Sequence, residues 1–176
     1  KAYPCLLGNI YDIPAANVNY EKYFLTVSRI EKSKNVLHTI KAVENLWKKN
    51  ELNGYNYIIA GKGTEYKEAL DYVRQRNLQS IIELKGFVSE EEKIKLYNNA
   101  GFCIYLPFDE PFGLVCLESF AYKKAIITSN HGGPAETVRD KIDGLLINPD
   151  KISEIESAIK YMINNMKKRV SLPPKP

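Results

Sequence analysis

The sequence predicts an α/β protein: a parallel, doubly wound sheet of about six strands between two layers of helices. Three observations carry this. Short apolar runs alternate with segments whose apolar residues recur at helical spacing, from Tyr23 to the C-terminal region. Each helical segment separates two strands, so successive strands run parallel through crossovers. The glycines, carboxylates and basic residues that stand out all follow strands, the edge where such sheets take ligands.

In order, Lys1 to Tyr20, with Pro4, Gly8 and Pro14, reads as a connector. Tyr23 to Ser28 reads as a buried strand, followed by the basic loop Arg29 to Lys34. Val36, Leu37, Ile40, Val43, Leu46 and Trp47 mark a helix. Tyr55 to Ala60 is a strand closed by Gly61-Lys62-Gly63, and Thr64 is placed to cap a helix with Tyr66, Ala69, Leu70 and Val73 inward. Ile81 to Phe87 is the third strand. Ser89 to Glu92 forms a capping box, opening a helix with Ile94, Tyr97 and Ala100 inward. Phe102 to Leu106 is the fourth strand, followed by a loop and a helix from about Gly113 to Tyr122. Ala125 to Ser129 and Gly144 to Ile147 are the last strands, with a short helix after His131-Gly132-Gly133-Pro134 between them. Ile152, Ile155, Ile159, Met162, Ile163 and Met166 mark a final amphipathic helix. The expected division is a connector over 1–20, a ligand-binding α/β domain over 21–150, and a C-terminal helix and tail over 151–176.

With 176 residues, 44% hydrophobic and 26% charged, the chain suits one globular domain with a real core. The net charge of +4 is dispersed, so no nucleic-acid partner is expected. Cys5, Cys103 and Cys116 lack metal-ligand or redox spacing, which points to a reducing, cytoplasmic setting. No apolar run approaches the ~18 residues of a spanning helix. The chain begins at Lys1 without Met and reads as a piece of something longer.

The chemistry concentrates between Leu106 and Ser119. Helix N-termini receive anions, and Gly113 opens a helix there. Glu110 lies just before the mouth and Glu118 about a turn and a half inside. Carboxylates hydrogen-bond paired hydroxyls, so a phosphate at the mouth would be flanked by two hydroxyl-binding groups. A nucleotide sugar has that form. Arg29 and Lys34 fit diphosphate neutralisation, and equally fit an ordinary exposed basic loop. Gly61 and Gly63 fit a ligand-facing turn or a merely tight one. There is no Asp-x-Asp, so neither a metal nor a cofactor beyond the nucleotide donor is expected.

The frame Glu110-Pro111-Phe112-Gly113-Leu114-x-x-x-Glu118 resembles the Glu-x7-Glu motif of retaining glycosyltransferases of the GT-B architecture, most closely their family 4. Arg29 and Lys34, Gly61-x-Gly63, and Gly86-Phe87-Val88 match further family segments. Ser28, Lys123 and Ala125 depart, standing where the family has glycine, glycine and proline. The resemblance implies a Rossmann-like three-layer α/β/α domain, the C-terminal, donor-binding half of an enzyme of mannosyl-, glucosyl- or galactosyltransferase type. Its donor would be UDP- or GDP-linked and its acceptor a hydroxyl of a polysaccharide or lipid-linked glycan. The acceptor site would lie in an N-terminal half, and any peripheral membrane contact at the inner face would come through missing parts. Glu110 would meet the donor sugar and Glu118 the ribose. Phe112, Gly113 and Leu114 would act through their N–H groups, the Leu114 side chain being core. Gly86, Phe87 and Val88 would flank the base, and His131 would lie near the donor. Alternatives are a phosphorylase or epimerase half on the same architecture, or a non-catalytic nucleotide-binding module.

Overall fold

The computed structural model describes residues 20–170, with side chains to residue 165. The expected connector before Tyr20, the tail beyond Val170, Cys5 and the Met166 side chain lie outside the described residues. Six strands form one parallel sheet in the order β3-β2-β1-β4-β5-β6. These are β1 (Tyr23–Val27), β2 (Asn56–Ala60), β3 (Ile82–Gly86), β4 (Phe102–Tyr105), β5 (Ile126–Ser129) and β6 (Gly144–Ile147). The helices are α1 (Val36–Lys48), α2 (Tyr66–Gln75), α3 (Glu90–Asn99), α4 (Leu114–Ala121), α5 (Gly133–Thr137) and α6 (Ile152–Val170).

Strand side chains alternate between two apolar layers, as the pleat requires. Phe24, Tyr57, Ile59, Phe102, Ile104 and Ile127 face α1, α2 and α6, where Ile40, Val43, Ala69, Ile155 and Ile159 close the layer. Tyr23, Leu25, Cys103, Tyr105 and Ile126 face α3 to α5, against Leu96, Tyr97, Cys116 and Val138. Cys103 and Cys116 are free thiols packed in this second layer. The centre of the first layer is a three-ring stack across β2, β1 and β4: Phe24 lies 4.9 Å from Tyr57 and 5.1 Å from Phe102.

Several expected boundaries shift. Ser28, Tyr55, Ile81, Phe87, Leu106 and Ala125 fall outside the strands, although Tyr55 and Leu106 are buried. Burial continues past the last ladder bond, and an apolar run records burial only. Thr64 is not a cap: α2 starts at Tyr66, after a turn in which Glu65 N–H donates to the Ile30 carbonyl. Ser89 does cap α3, accepting from Glu92 N–H, but the Glu92 carboxylate pairs with Lys85. Ile94 is exposed, and the buried part of α3 is Leu96 and Tyr97. Trp47 is partly exposed as well, at 39%.

β1 and β4 carry the reversal of strand order, and they pair over only two residues, Phe24 with Phe102 and Leu25 with Cys103. Beyond that, the Thr26 hydroxyl donates to the Ile104 carbonyl at 2.7 Å, a side chain standing in for the ladder. Phe24 is the middle ring of the stack and fully buried at this seam. Phe24→Ala is expected to lower stability by about 3–5 kcal/mol, read as a fall in the urea midpoint with an unchanged slope.

Candidate functional site

The switch point opens at the carboxyl ends of β1 and β4, and three contacts staple the loops that follow them. Phe108 N–H donates to the Ser33 carbonyl at 2.6 Å. Asn35 Nδ2 donates to the Leu106 carbonyl at 3.0 Å from a left-handed backbone (φ 51°). Lys34 Nζ donates to Glu110 Oε2 at 2.7 Å. A fourth tie comes from β5, where the Ser129 hydroxyl donates to the Pro107 carbonyl. Lys34 and Glu110, 76 residues apart, thus form one part-buried ion pair at the crevice.

Glu110 is held from every side. The Lys34 ammonium does most to lower its pKa, opposed by burial. The Tyr105 phenol at 2.7 Å and the Gly113 N–H add to Lys34, and the result is about 2. Lys34 also sits 5.5 Å from the Tyr105 ring centroid. The Glu110 carbonyl accepts from Gly133 N–H at 2.7 Å, which ties the loop to α5. The approach there is close: a Cβ on Gly133 would lie 2.3 Å from the Pro111 carbonyl oxygen.

Gly113 caps α4 in the left-handed region (φ 67°). Phe112 and Leu114 on either side are 74% and 66% exposed. The expectation that the Leu114 side chain is core is therefore wrong: it occupies the first position of α4, at the ligand edge. Glu118 follows one turn later on α4. Its Oε2 accepts from the Tyr97 phenol at 3.1 Å, and Lys93 lies 3.9 Å from Oε1.

The remaining sequence candidates gather on the same edge with different surroundings. Arg29 is mostly exposed and pairs with Glu31 at 3.0 Å. Gly61 and Gly63 let the β2–α2 loop touch the β1–α1 loop: added Cβ atoms would lie 1.9 Å from the Ser28 oxygen and 2.3 Å from the Ile30 oxygen. Gly61 N–H donates to the Gly86 carbonyl at 2.7 Å. These approaches leave no room for a side chain at either glycine. Phe87 is exposed and Val88 half-buried after β3. His131 rests edge-on against Phe108 at 5.6 Å, with Nδ1 beside Asn130 and a buried, unpartnered Nε2. Among the described residues, no group of three His, Cys, Asp or Glu side chains could hold a metal ion. Tyr97, Tyr105, Lys93 and Asn35 were not singled out from sequence. Tyrosines at core spacing read as core, and nothing in the sequence shows where a phenol points.

The arrangement is an open edge carrying an ionised carboxylate, two cations and a helix N-terminus at the reversal of a parallel sheet, suited to an anion that also bears hydroxyls. Comparison with known proteins places it. The family model for glycosyl transferases group 1 matches residues 12–174, and the chain belongs to that family. Its sheet is that of the C-terminal domain of the GT-B architecture. It is 29% identical over 150 residues to the alpha-1,3/1,6-mannosyltransferase ALG2 of Mus musculus, covering 79% of this chain and 36% of that protein. It is 27% identical to the crystallised C-terminal domain of the group 1 glycosyl transferase LpcC from Francisella tularensis, with a TM-score of 0.73 over 85% of this chain and 80% of that one. Anabaena Alr3699/HepE, solved with UDP and glucose, shares the fold at TM-score 0.73 and 21% identity, over 88% of this chain and 42% of that one. The chain spans about a third of the length of the mannosyltransferases it matches.

Removing Lys34 tests the ion pair. Glu110 has a folded pKa of about 2 against an ordinary 4.5. A depressed carboxyl pKa stabilises the fold above the ordinary value, and that contribution fades as pH falls through the folded one. Lys34→Met leaves Tyr105, the Gly113 N–H and the nearby Cys116 around the carboxyl. The variant is expected to be about 1–3 kcal/mol less stable at neutral pH. The gap from wild type should narrow between pH 4.5 and 2 in urea titrations.

Proposed function

We propose that this chain is the donor-binding half of a retaining glycosyltransferase that moves a sugar from a UDP- or GDP-sugar to a hydroxyl acceptor. The observation that carries it is the Lys34–Glu110 pair at the mouth of α4, with Glu118 one helical turn further in. The diphosphate lies between the α4 N-terminus and the cations Arg29 and Lys34. The Glu118 carboxylate accepts from the ribose hydroxyls, and Glu110 faces the sugar. As the glycosidic bond to the diphosphate breaks, negative charge grows on the leaving phosphate. Arg29, Lys34 and the first-turn N–H groups of α4 stabilise it without a metal. Glu110, kept ionised by Lys34, stands where positive charge develops at the anomeric carbon. The acceptor attacks from the same face, which retains configuration. The exposed side chains Phe87, Phe112 and Leu114 surround this edge. They suit a partner domain that closes the cleft and brings the acceptor. Alr3699/HepE, which shares the fold, was solved with UDP and glucose, which favours the nucleotide reading. None of the helices described is long and apolar enough to cross a membrane.

Calorimetry of this chain against UDP, GDP and their sugar conjugates tests the assignment. One of the two bases is expected to bind, and Glu118→Ala to weaken every ligand on that base by about tenfold, the worth of one charge-assisted hydrogen bond. Unchanged affinity in Glu118→Ala removes the ribose role. Absence of nucleotide binding by the wild type removes the proposal.

A further inference from the structure

Each of the two carboxylates is held by a buried tyrosine, and the tyrosines come from different elements. Tyr105 closes β4 and donates to Glu110 Oε2 at 2.7 Å. Tyr97 lies on α3 and donates to Glu118 Oε2 at 3.1 Å. Both rings are buried, at 4% and 1% exposure. The Tyr97 ring is also stacked on Tyr122 at 4.8 Å, nearly parallel to it, which helps fix where its phenol points. Burial, above all, raises both phenol pKa values far above the ordinary range, so each hydroxyl stays a donor at any working pH.

The surroundings of the two carboxylates differ. At Glu110, Lys34 and Tyr105 meet the same oxygen, Oε2, and the side chain is only 20% exposed. At Glu118, Tyr97 takes Oε2, Lys93 stays at 3.9 Å from Oε1, and the side chain is 43% exposed. Glu118 therefore has a single side-chain hydrogen bond, from Tyr97, whereas Glu110 is oriented jointly by a cation, a phenol and the Gly113 N–H. A carboxylate fixed through one oxygen presents the other in a set direction. This spares the rotamer entropy that a free glutamate loses on binding a hydroxyl.

We infer that Tyr97 and Tyr105 are positioning residues with separate tasks: Tyr97 aims Glu118 at the nucleotide's ribose, and Tyr105 aims Glu110 at the transferred sugar. The inference rests on the donor-site assignment above and deepens it. Neither phenol touches the ligand; each acts through its glutamate.

The test compares wild type, Tyr97→Phe, Tyr105→Phe, Glu118→Ala and Glu110→Gln in calorimetry with the free nucleotide diphosphate and with its sugar conjugate. Phenylalanine keeps each ring's packing. Tyr97→Phe is expected to weaken both ligands alike, by roughly threefold to tenfold, the worth of one hydrogen bond. Tyr105→Phe is expected to leave the free nucleotide within about twofold and to reduce the extra affinity contributed by the sugar by a similar factor. In the ligand-free chain, carbon-detected NMR titration is expected to show the Glu110 carboxyl ionising above its wild-type pKa of about 2 in Tyr105→Phe. Equal losses for both ligands in both variants, or loss of folding in either, would mark a structural role and overturn the inference. Silent tyrosine variants beside affected glutamate variants overturn it while leaving the donor site standing. Silence in the glutamate variants as well, or no nucleotide binding by the wild type, overturns both.

Discussion

Thr26 sits where β1 and β4 part, and its hydroxyl joins three strands: it donates to the Ile104 carbonyl on β4 and lies 2.8 Å from the Tyr57 phenol on β2. The sheet depends on this seam. Two residue pairs of regular ladder hold β1 to β4, compared with five holding β1 to β2. The ring stack below, the Thr26 bridge, the Asn35 and Ser33 contacts and finally the Lys34–Glu110 pair continue the joint beyond the ladder. Along that line the interactions change from apolar to polar to charged. A switch point needs that gradient, because the strands must hold together at their middles and separate at their ends to leave a crevice.

The same gradient makes the crevice electrostatically prepared. A carboxylate so close to the α4 N-terminus would satisfy the helix charge by itself and repel an incoming anion. Pairing with Lys34 neutralises it locally while keeping it ionised. Arg29, held loosely by Glu31 at the surface, remains able to reorient. Fixed groups lie inside and an adaptable cation at the rim, an arrangement consistent with the proposed diphosphate site.

Much of the fold was legible because hydrophobic period and burial coincide in a two-sided parallel sheet. Where they diverge, the reading slipped. Leu106 and Tyr55 are buried but unladdered, and Ile94 has the right spacing on a turn whose inward-reaching member is Lys93. Glu110, Glu118, Lys34 and Arg29 were legible because a dense local frame and a basic loop survive in one dimension. Their supports were not. Tyr97 and Tyr105 look like any core aromatic, and Leu114 looks like core until Gly113 turns it outward. Lys123 is instructive: the family glycine is replaced, yet the turn persists, with lysine itself in the left-handed region at φ 58°. The turn is closed by backbone hydrogen bonds from Lys123 N–H to the Phe120 carbonyl and from Lys124 N–H to the Ser119 carbonyl, and the lysine accepts the strain.

The strand order bears on how the chain assembles. β1, β2 and β3 neighbour one another in sequence, as do β4, β5 and β6, so each triplet can form through single crossovers. The seam instead joins residues 78 apart, as in the Thr26–Ile104 contact. Its closure entropy is the largest of any strand pairing here. Both halves of the crevice can be made separately, but the charged pair across it exists only once the two triplets dock. Whatever the crevice does is thereby tied to the final topological step, since Lys34 and Glu110 come from different triplets.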